Sequence, residues 1–290
     1  MIRVGPAGWS YADWEGVVYP RRKPRGFHAL AYLAEHFDLV EINSSFYSLP
    51  RDGSAERWAE LVVPHANFRF TAKLHREFTH DARVDAARVR EFRASLEPLV
   101  RHRRLAAWLA QFPWSFAFGV ERLELLKRLS EAFRDAPLVL ELRHATWFEP
   151  AATDALLAVD VSLAEIDLPR SSTAPPVHVA ARGQVGYLRL HGRNTRAWFD
   201  REATRDQKYD YLYDDREVES FASRATELDR EHADTLVVTN NHFSGKAVTN
   251  ALELAAAITR AKRRVPEPLL AAYPRLERIA LPAPRRGLFD

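Results

Sequence analysis

Eight short runs rich in aliphatic and β-branched residues alternate along this chain with segments of helical periodicity. That order predicts a parallel sheet with crossover helices. The runs centre on Arg3 to Gly5, Leu39 to Asn43, Phe68 to Lys73, Ala106 to Phe112, Leu138 to Arg143, Val161 to Ile166, Tyr187 to His191 and Leu236 to Asn240. Eight parallel strands close a barrel, and 290 residues suffice for one TIM-type (β/α)8 domain with a tail. Between the runs, Leu30, Leu33, Ala34 and Phe37 fall at i, i+3, i+4 and i+7, and Val248, Ala251, Leu252, Ala255 and Ile258 follow the same helical spacing. Asp85 is placed to cap a helix carrying Val89, Phe92, Leu96 and Leu99, and Gly119 to open one carrying Val120, Leu123 and Leu126. The sixth crossover differs. Ser171 to Pro176 is turn-rich and too short for a full helix, so a loop or degenerate unit is expected there. Residues 1–262 read as the barrel domain, and 263–290, rich in Pro and Arg, as an extended tail lying on the barrel or loose in solvent.

Composition removes several classes. The chain has no cysteine, which excludes disulfides, thiolate catalysis and zinc sites built on sulfur. No stretch approaches the roughly 18 uninterrupted apolar residues of a membrane span. Met1 to Val4 leads directly into a strand, so no signal peptide is read and a cytoplasmic location is expected. The formal net charge is +3 and the isoelectric point about 9.2. This mild positive bias suits an anionic ligand, and an arginine-rich coding bias would also produce it.

Alternate side chains of a barrel strand face the interior and the surrounding helices, so strand phase carries functional information. Val40 and Ile42 share one face, Glu41 and Asn43 the other. Phe68, Phe70 and Ala72 oppose Arg69, Thr71 and Lys73; Leu138, Leu140 and Leu142 oppose Glu141 and Arg143; Leu188 and Leu190 oppose Arg189 and His191. With the apolar phase packed on helices, Glu41, Lys73, Glu141, Arg189 and His191 converge inside the barrel near its carboxyl-terminal mouth. Interior charges need partners or a ligand. Either a self-satisfied network of Glu–Lys and Glu–Arg pairs or an active site meets that need, and barrels place their chemistry at the strand ends.

Gly8-Trp9-Ser10-Tyr11-Ala12-Asp13-Trp14-Glu15-Gly16 with Tyr19-Pro20, and Val40-Glu41-Ile42-Asn43-Ser44-Ser45-Phe46-Tyr47, resemble the opening of the family catalogued as domain of unknown function 72, the YecE-like proteins. Phe70-Thr71-Ala72-Lys73 with Thr79-His80, Gln111-Phe112-Pro113, Glu141-Leu142-Arg143-His144 with Trp147-Phe148, Arg189-Leu190-His191-Gly192-Arg193 and Asn240-Asn241 resemble its later motifs, in its order. The chain departs from the commoner forms at Pro6-Ala7, at Phe112-Pro113 after Gln111, and at Val238-Thr239. None of these is a charged position. The resemblance implies a TIM barrel and, by the family's own description, leaves the reaction open.

The candidate catalytic residues are Glu41, Lys73, Glu141 and His191. Glu41 and Glu141 stand opposite each other across a barrel and can form an acid/base pair or ligate a metal. A divalent metal would draw on His75, His80, His144, His191 and Asp167, although no H-x-H or H-E-x-x-H spacing supports one. Lys73 can form a Schiff base if desolvated. Pairing with Glu41 or Glu141, the favoured expectation, would keep it charged. Trp9, Tyr11, Trp14, Phe46, Tyr47 and Trp147 gather in the same loops, either to stack on sugars or bases or to seal the barrel mouth. Trp58 and Trp108 read as packing residues. The candidate substrate-binding set is completed by Asn43, His80, Gln111, Arg143, Arg189, Asn240 and Asn241.

An anion site is expected after the seventh and eighth strands. Arg193 and Lys246 would supply the charge and the helix opened by Ser244-Gly245-Lys246 its free N–H groups, with an ordinary Ser-capped helix as the plain alternative. Two functions fit. One is an enzyme, a hydrolase or isomerase acting on a sugar phosphate or nucleic-acid phosphate, by fold-level analogy. The other is a binding or adaptor protein that recognises a nucleotide or nucleic acid without chemistry. At the terminus, Leu288 and Phe289 either fold back on the barrel, burying apolar area, or dock on a sliding clamp, although Arg285 stands where such motifs usually open with Gln.

Overall fold

The computed structural model describes residues 1–179 and 182–282. Eight parallel strands run β1 (Ile2–Pro6), β2 (Leu39–Ile42), β3 (Arg69–Lys73), β4 (Leu105–Gln111), β5 (Leu138–Glu141), β6 (Ser162–Asp167), β7 (Val185–Leu190) and β8 (Asp234–Thr239). They pair in the order β1-β8-β7-β6-β5-β4-β3-β2. Only the β1–β2 seam lacks a regular ladder. A single parallel bridge, Ala7 to Glu41, joins it, with the Gly8 N–H donating to the Glu41 carbonyl at 2.8 Å. Gly5 is what lets these strands meet, because a Cβ at that position would lie 1.7 Å from the Leu39 carbonyl oxygen. The result is a nearly closed TIM barrel.

Helices α1 (Ala29–Ala34), α2 (Ser54–Leu61), α3 (Arg76–Thr79), α4 (Ala86–Arg101), α5 (Val120–Ala132), α6 (Pro150–Leu156), α7 (Thr195–Trp198), α8 (Arg205–Lys208), α9 (Asp215–Glu231), α10 (Lys246–Thr259) and α11 (Glu267–Ala272) lie between and after the strands. Asp85 caps α4 by accepting from the N–H groups of Ala87 and Arg88, and Gly119 precedes α5, both as expected. Among the described residues the β6–β7 connection holds no helix. On the outer face of β6, Leu163 still packs against the helix-side core. Two residues on, the same face carries Glu165, which accepts from Arg224 of α9 at 2.8 Å and from the Val179 N–H at 3.1 Å.

Two cores follow from the strand alternation. Val40, Ile42, Phe70, Ala72, Leu140, Leu142, Leu188 and Leu190 pack outward against the helices. Leu39, Leu109, Val139, Tyr187, Leu236 and Val238 fill the interior. Along β2, β5, β7 and β8 the interior residues turn from apolar to polar toward the carboxyl end: Leu39 then Glu41, Val139 then Glu141, Tyr187 then Arg189, Val238 then Asn240. A dry plug thus supports a polar layer, each fully buried large apolar side chain contributing roughly 1.5–3 kcal/mol.

The segment after Lys262 departs from an extended tail. Pro266 and Pro268 sit where the first turn of α11 needs no N–H donor, so they start that helix rather than forbid it. Leu269 and Leu276 are fully buried, and Arg275 and Arg278 each reach the buried Glu253 carboxylate at 2.7 Å. Leu288 and Phe289, with the proposed clamp contact, lie outside the described residues. No described helix is long and apolar enough to cross a membrane.

Candidate functional site

The polar layer is organised by Arg189. Its Nε and Nη2 donate to the two Glu41 carboxylate oxygens at 3.0 and 2.6 Å, and its Nη1 donates to Glu141 at 2.8 Å and to the Gln111 amide oxygen at 3.3 Å. Tyr187 donates to Glu41 at 2.8 Å, and Arg143 Nε to the other oxygen of Glu141 at 2.7 Å. Two guanidiniums and two carboxylates cancel, which is what allows four charges to be buried together. Burial alone would raise the Glu141 carboxyl; Arg143, Arg189 and His191 outweigh it and hold it well below the usual range. Burial pushes His191 down to about 3, so it is neutral. Its Nε2 lies 3.3 Å from Glu141 and its Nδ1 3.1 Å from the Asn240 amide nitrogen. Arg189 Nη1 also lies 3.2 Å from Nε2, so the ring has two competing neighbours there: a proton on Nε2 would be donated to Glu141, and a bare Nε2 would accept from Arg189.

Above this layer opens a cavity of about 70 Å³, lined by Tyr11, Asn43, Tyr47, Lys73, Gln111, Arg189, Arg205, Tyr209, Asn240 and His242. Lys73 and Arg189 reach it from the expected charged set; Glu41, Glu141 and His191 lie beneath its floor, at most 0% exposed. The expected Lys73–glutamate pair does not form. Arg189 and Arg143 take both carboxylates, and among the described residues Lys73 makes no ion pair. Its Nζ stands 3.8 Å from the Phe46 ring centroid instead. Burial, reinforced by Arg189 and opposed by Glu141, brings the amine down to about 7.

Several expected binding residues fall elsewhere. Arg193 is held by Asp167 at 2.6 Å and Glu217 at 2.7 Å over the Tyr213 and Phe221 rings, so its charge is already matched. Lys246 pairs with Asp210. Asn241, in the opposite phase to Asn240, faces the helices and donates to the Tyr211 carbonyl and to Asn250. The expected anion at the α10 start is supplied by the chain itself, since Asp13 accepts from the Ser244 N–H at 2.5 Å. Arg143 serves Glu141 and does not line the cavity. Trp147 is fully buried, donating to the Phe116 carbonyl, and Trp9 packs on Trp58 and Phe70. His80 meets the edge of Phe46, one residue removed from the cavity. The aromatic group is thus mostly a seal. No three His, Asp or Glu side chains gather as metal ligands among the described residues, because the central carboxylates are turned onto arginines.

The family model described as "Protein of unknown function DUF72" matches residues 3–275. The chain belongs to the DUF72 family. The UPF0759 protein YunF of Bacillus subtilis is 28% identical over 269 residues, which is 88% of this chain and 93% of YunF. The crystal structure of a DUF72 protein from Thermotoga maritima superposes with a TM-score of 0.77 at 29% identity, covering 89% of this chain and 99% of that one. One from Enterococcus faecalis gives 0.78 at 25%, covering 89% and 96%.

Three cavity residues of this DUF72 chain escape motif reading: Arg205, Tyr209 and His242. The first two ride on the connection of residues 191–214 between β7 and α9, whose length was the available clue. His242 stacks on Tyr11, 4.5 Å away, and meets Tyr209 at a tilt, 5.2 Å away.

Proposed function

We propose that this protein is an enzyme acting on a small phosphate-bearing substrate of sugar-phosphate size, held in the mouth cavity against Lys73. One observation carries the proposal. The cavity is lined by Lys73, Arg189 and Arg205 with no carboxylate among its walls; Arg189 is neutralised from below and Arg205 pairs with Asp206 at 3.2 Å, whereas Lys73 makes no ion pair among the described residues. The protonated Lys73 therefore lacks an anion that a ligand would supply. Asn43, Gln111, Asn240 and Tyr47 surround it as partners for hydroxyl groups. A polynucleotide fits less well: Tyr11 already stacks on His242 and Tyr209 leans on the same ring, and the cations lie in a small recess rather than along a groove.

Calorimetric titration of sulfate and ribose 5-phosphate into the wild type, Lys73→Met and Arg205→Ala tests this. Lys73→Met should bind about tenfold more weakly or worse, or ~1.4 kcal/mol. Unchanged affinity in both variants removes the site. Binding without turnover across a panel of sugar phosphates would favour the alternative, a nucleotide- or nucleic-acid-binding protein without chemistry.

A further inference from the structure

Lys73 is the one buried lysine of the six in the chain. Lys23, Lys127 and Lys246 pair with Glu15, Glu124 and Asp210, and Lys262 donates to the Arg278 carbonyl. Lys73 has the face of Phe46 on one side, and both barrel carboxylates are already bound to Arg189 and Arg143. A lysine kept as a plain cationic anchor is normally hydrated or paired, because stranding an ammonium is costly. A lysine kept for its lone pair is desolvated and set near other cations. Lys73 has the second kind of surroundings, and its amine opens on a cavity rather than on packed side chains.

We infer, building on the anion pocket proposed above, that Lys73 condenses with the carbonyl of a small anionic aldehyde or ketone to form an imine. The Nζ lone pair adds to the carbonyl carbon as the C=O π pair moves to oxygen. A proton passes from nitrogen to that oxygen, giving a carbinolamine. Nitrogen then re-forms a double bond to carbon, and the hydroxyl leaves with one added proton as water. The protonated imine draws electrons from an adjacent C–H or C–C bond, and water later reverses the linkage. A lysine amine near neutrality serves both halves, nucleophilic when free and electron-withdrawing once condensed. Asn43, Gln111 and Asn240 can hold the carbinolamine and substrate hydroxyls without titrating. Asn240 is steadied by His191 at 3.1 Å, and His191 by Glu141 at 3.3 Å, which makes His191 a positioning residue.

Borohydride trapping on the wild-type chain tests the inference without a variant. The chain is incubated at neutral pH with glyoxylate or glycolaldehyde phosphate and sodium borohydride, then mapped by peptide mass. The expected product is the probe mass less one oxygen on the Lys73 peptide, formed at least about tenfold faster than on any other lysine because far more of this amine is unprotonated. Excess sulfate should slow it. No Lys73 adduct with either probe, or faster reaction at another lysine, overturns the imine. If sulfate binding nevertheless depends on Lys73, the anion pocket stands without the imine; if that dependence is also absent, both fall.

Discussion

The guanidinium of Arg189 grips both oxygens of Glu41, at 2.6 and 3.0 Å, from inside a barrel where both side chains are almost fully excluded from water. Its remaining nitrogen reaches Glu141. Arg189→Met would therefore leave two buried carboxylates short of a counterion, and should destabilise the fold by about 3–5 kcal/mol. Adding Glu41→Gln to that variant should recover part of the loss. Urea unfolding of the single and double variants measures it, and a single variant as stable as wild type would show the network to be slack.

Acid sensitivity should begin well above the carboxylate range. Burial lowers His191 to about 3 and His242 to about 4, against about 6.5 in an unfolded chain. Between those values the unfolded state binds more protons, so stability rises with pH through this window and is lost as pH falls from about 6.5. Glu141, held low, adds a loss at lower pH, once unfolded carboxylates protonate. Urea midpoints from pH 7 to 4 should decline steadily, less steeply for His191→Gln. A flat profile to pH 4.5 would contradict this.

Gly5→Ala should open the β1–β2 seam, since its Cβ would collide with the Leu39 backbone oxygen at 1.7 Å and neither strand can retreat without breaking its other ladder. A cost of about 3 kcal/mol or more is expected, read as a lowered melting temperature. An unaltered melting curve would mean that the seam is loosely held.

Most of the barrel is legible in the alternation itself. Val40 and Ile42 need helices and Glu41 between them does not, so phase places the charges inside. Phase does not say which cation wins a carboxylate. The guanidinium fork of Arg189 reaches Glu41 and Glu141 together, whereas the single ammonium of Lys73 is left over. Nor does it reveal that Arg193 belongs to Asp167, a contact between two loops with no shared pattern. Arg205 and Tyr209 were hidden for the same reason, and α11 by the prolines that begin it.

Sulfate affinity should be greatest below pH 7 and fall as pH rises through about 7, because only the protonated Lys73 attracts the anion. The decline should level off near the affinity of the Lys73→Met variant, about tenfold or more below the low-pH value, and that variant should itself show none of it. Sulfate keeps its own charge across this range, so a pH-independent affinity would assign the binding to arginine alone.

The most direct measurement is the titration of Lys73 itself, followed by NMR of chains labelled at lysine, with Lys73→Arg used to assign the resonance among the six. The amine should titrate near 7 in the free protein, and its midpoint should move upward when sulfate is added. A Lys73 resonance that titrates near the ordinary lysine value of about 10.4 and ignores sulfate would contradict the account at its centre.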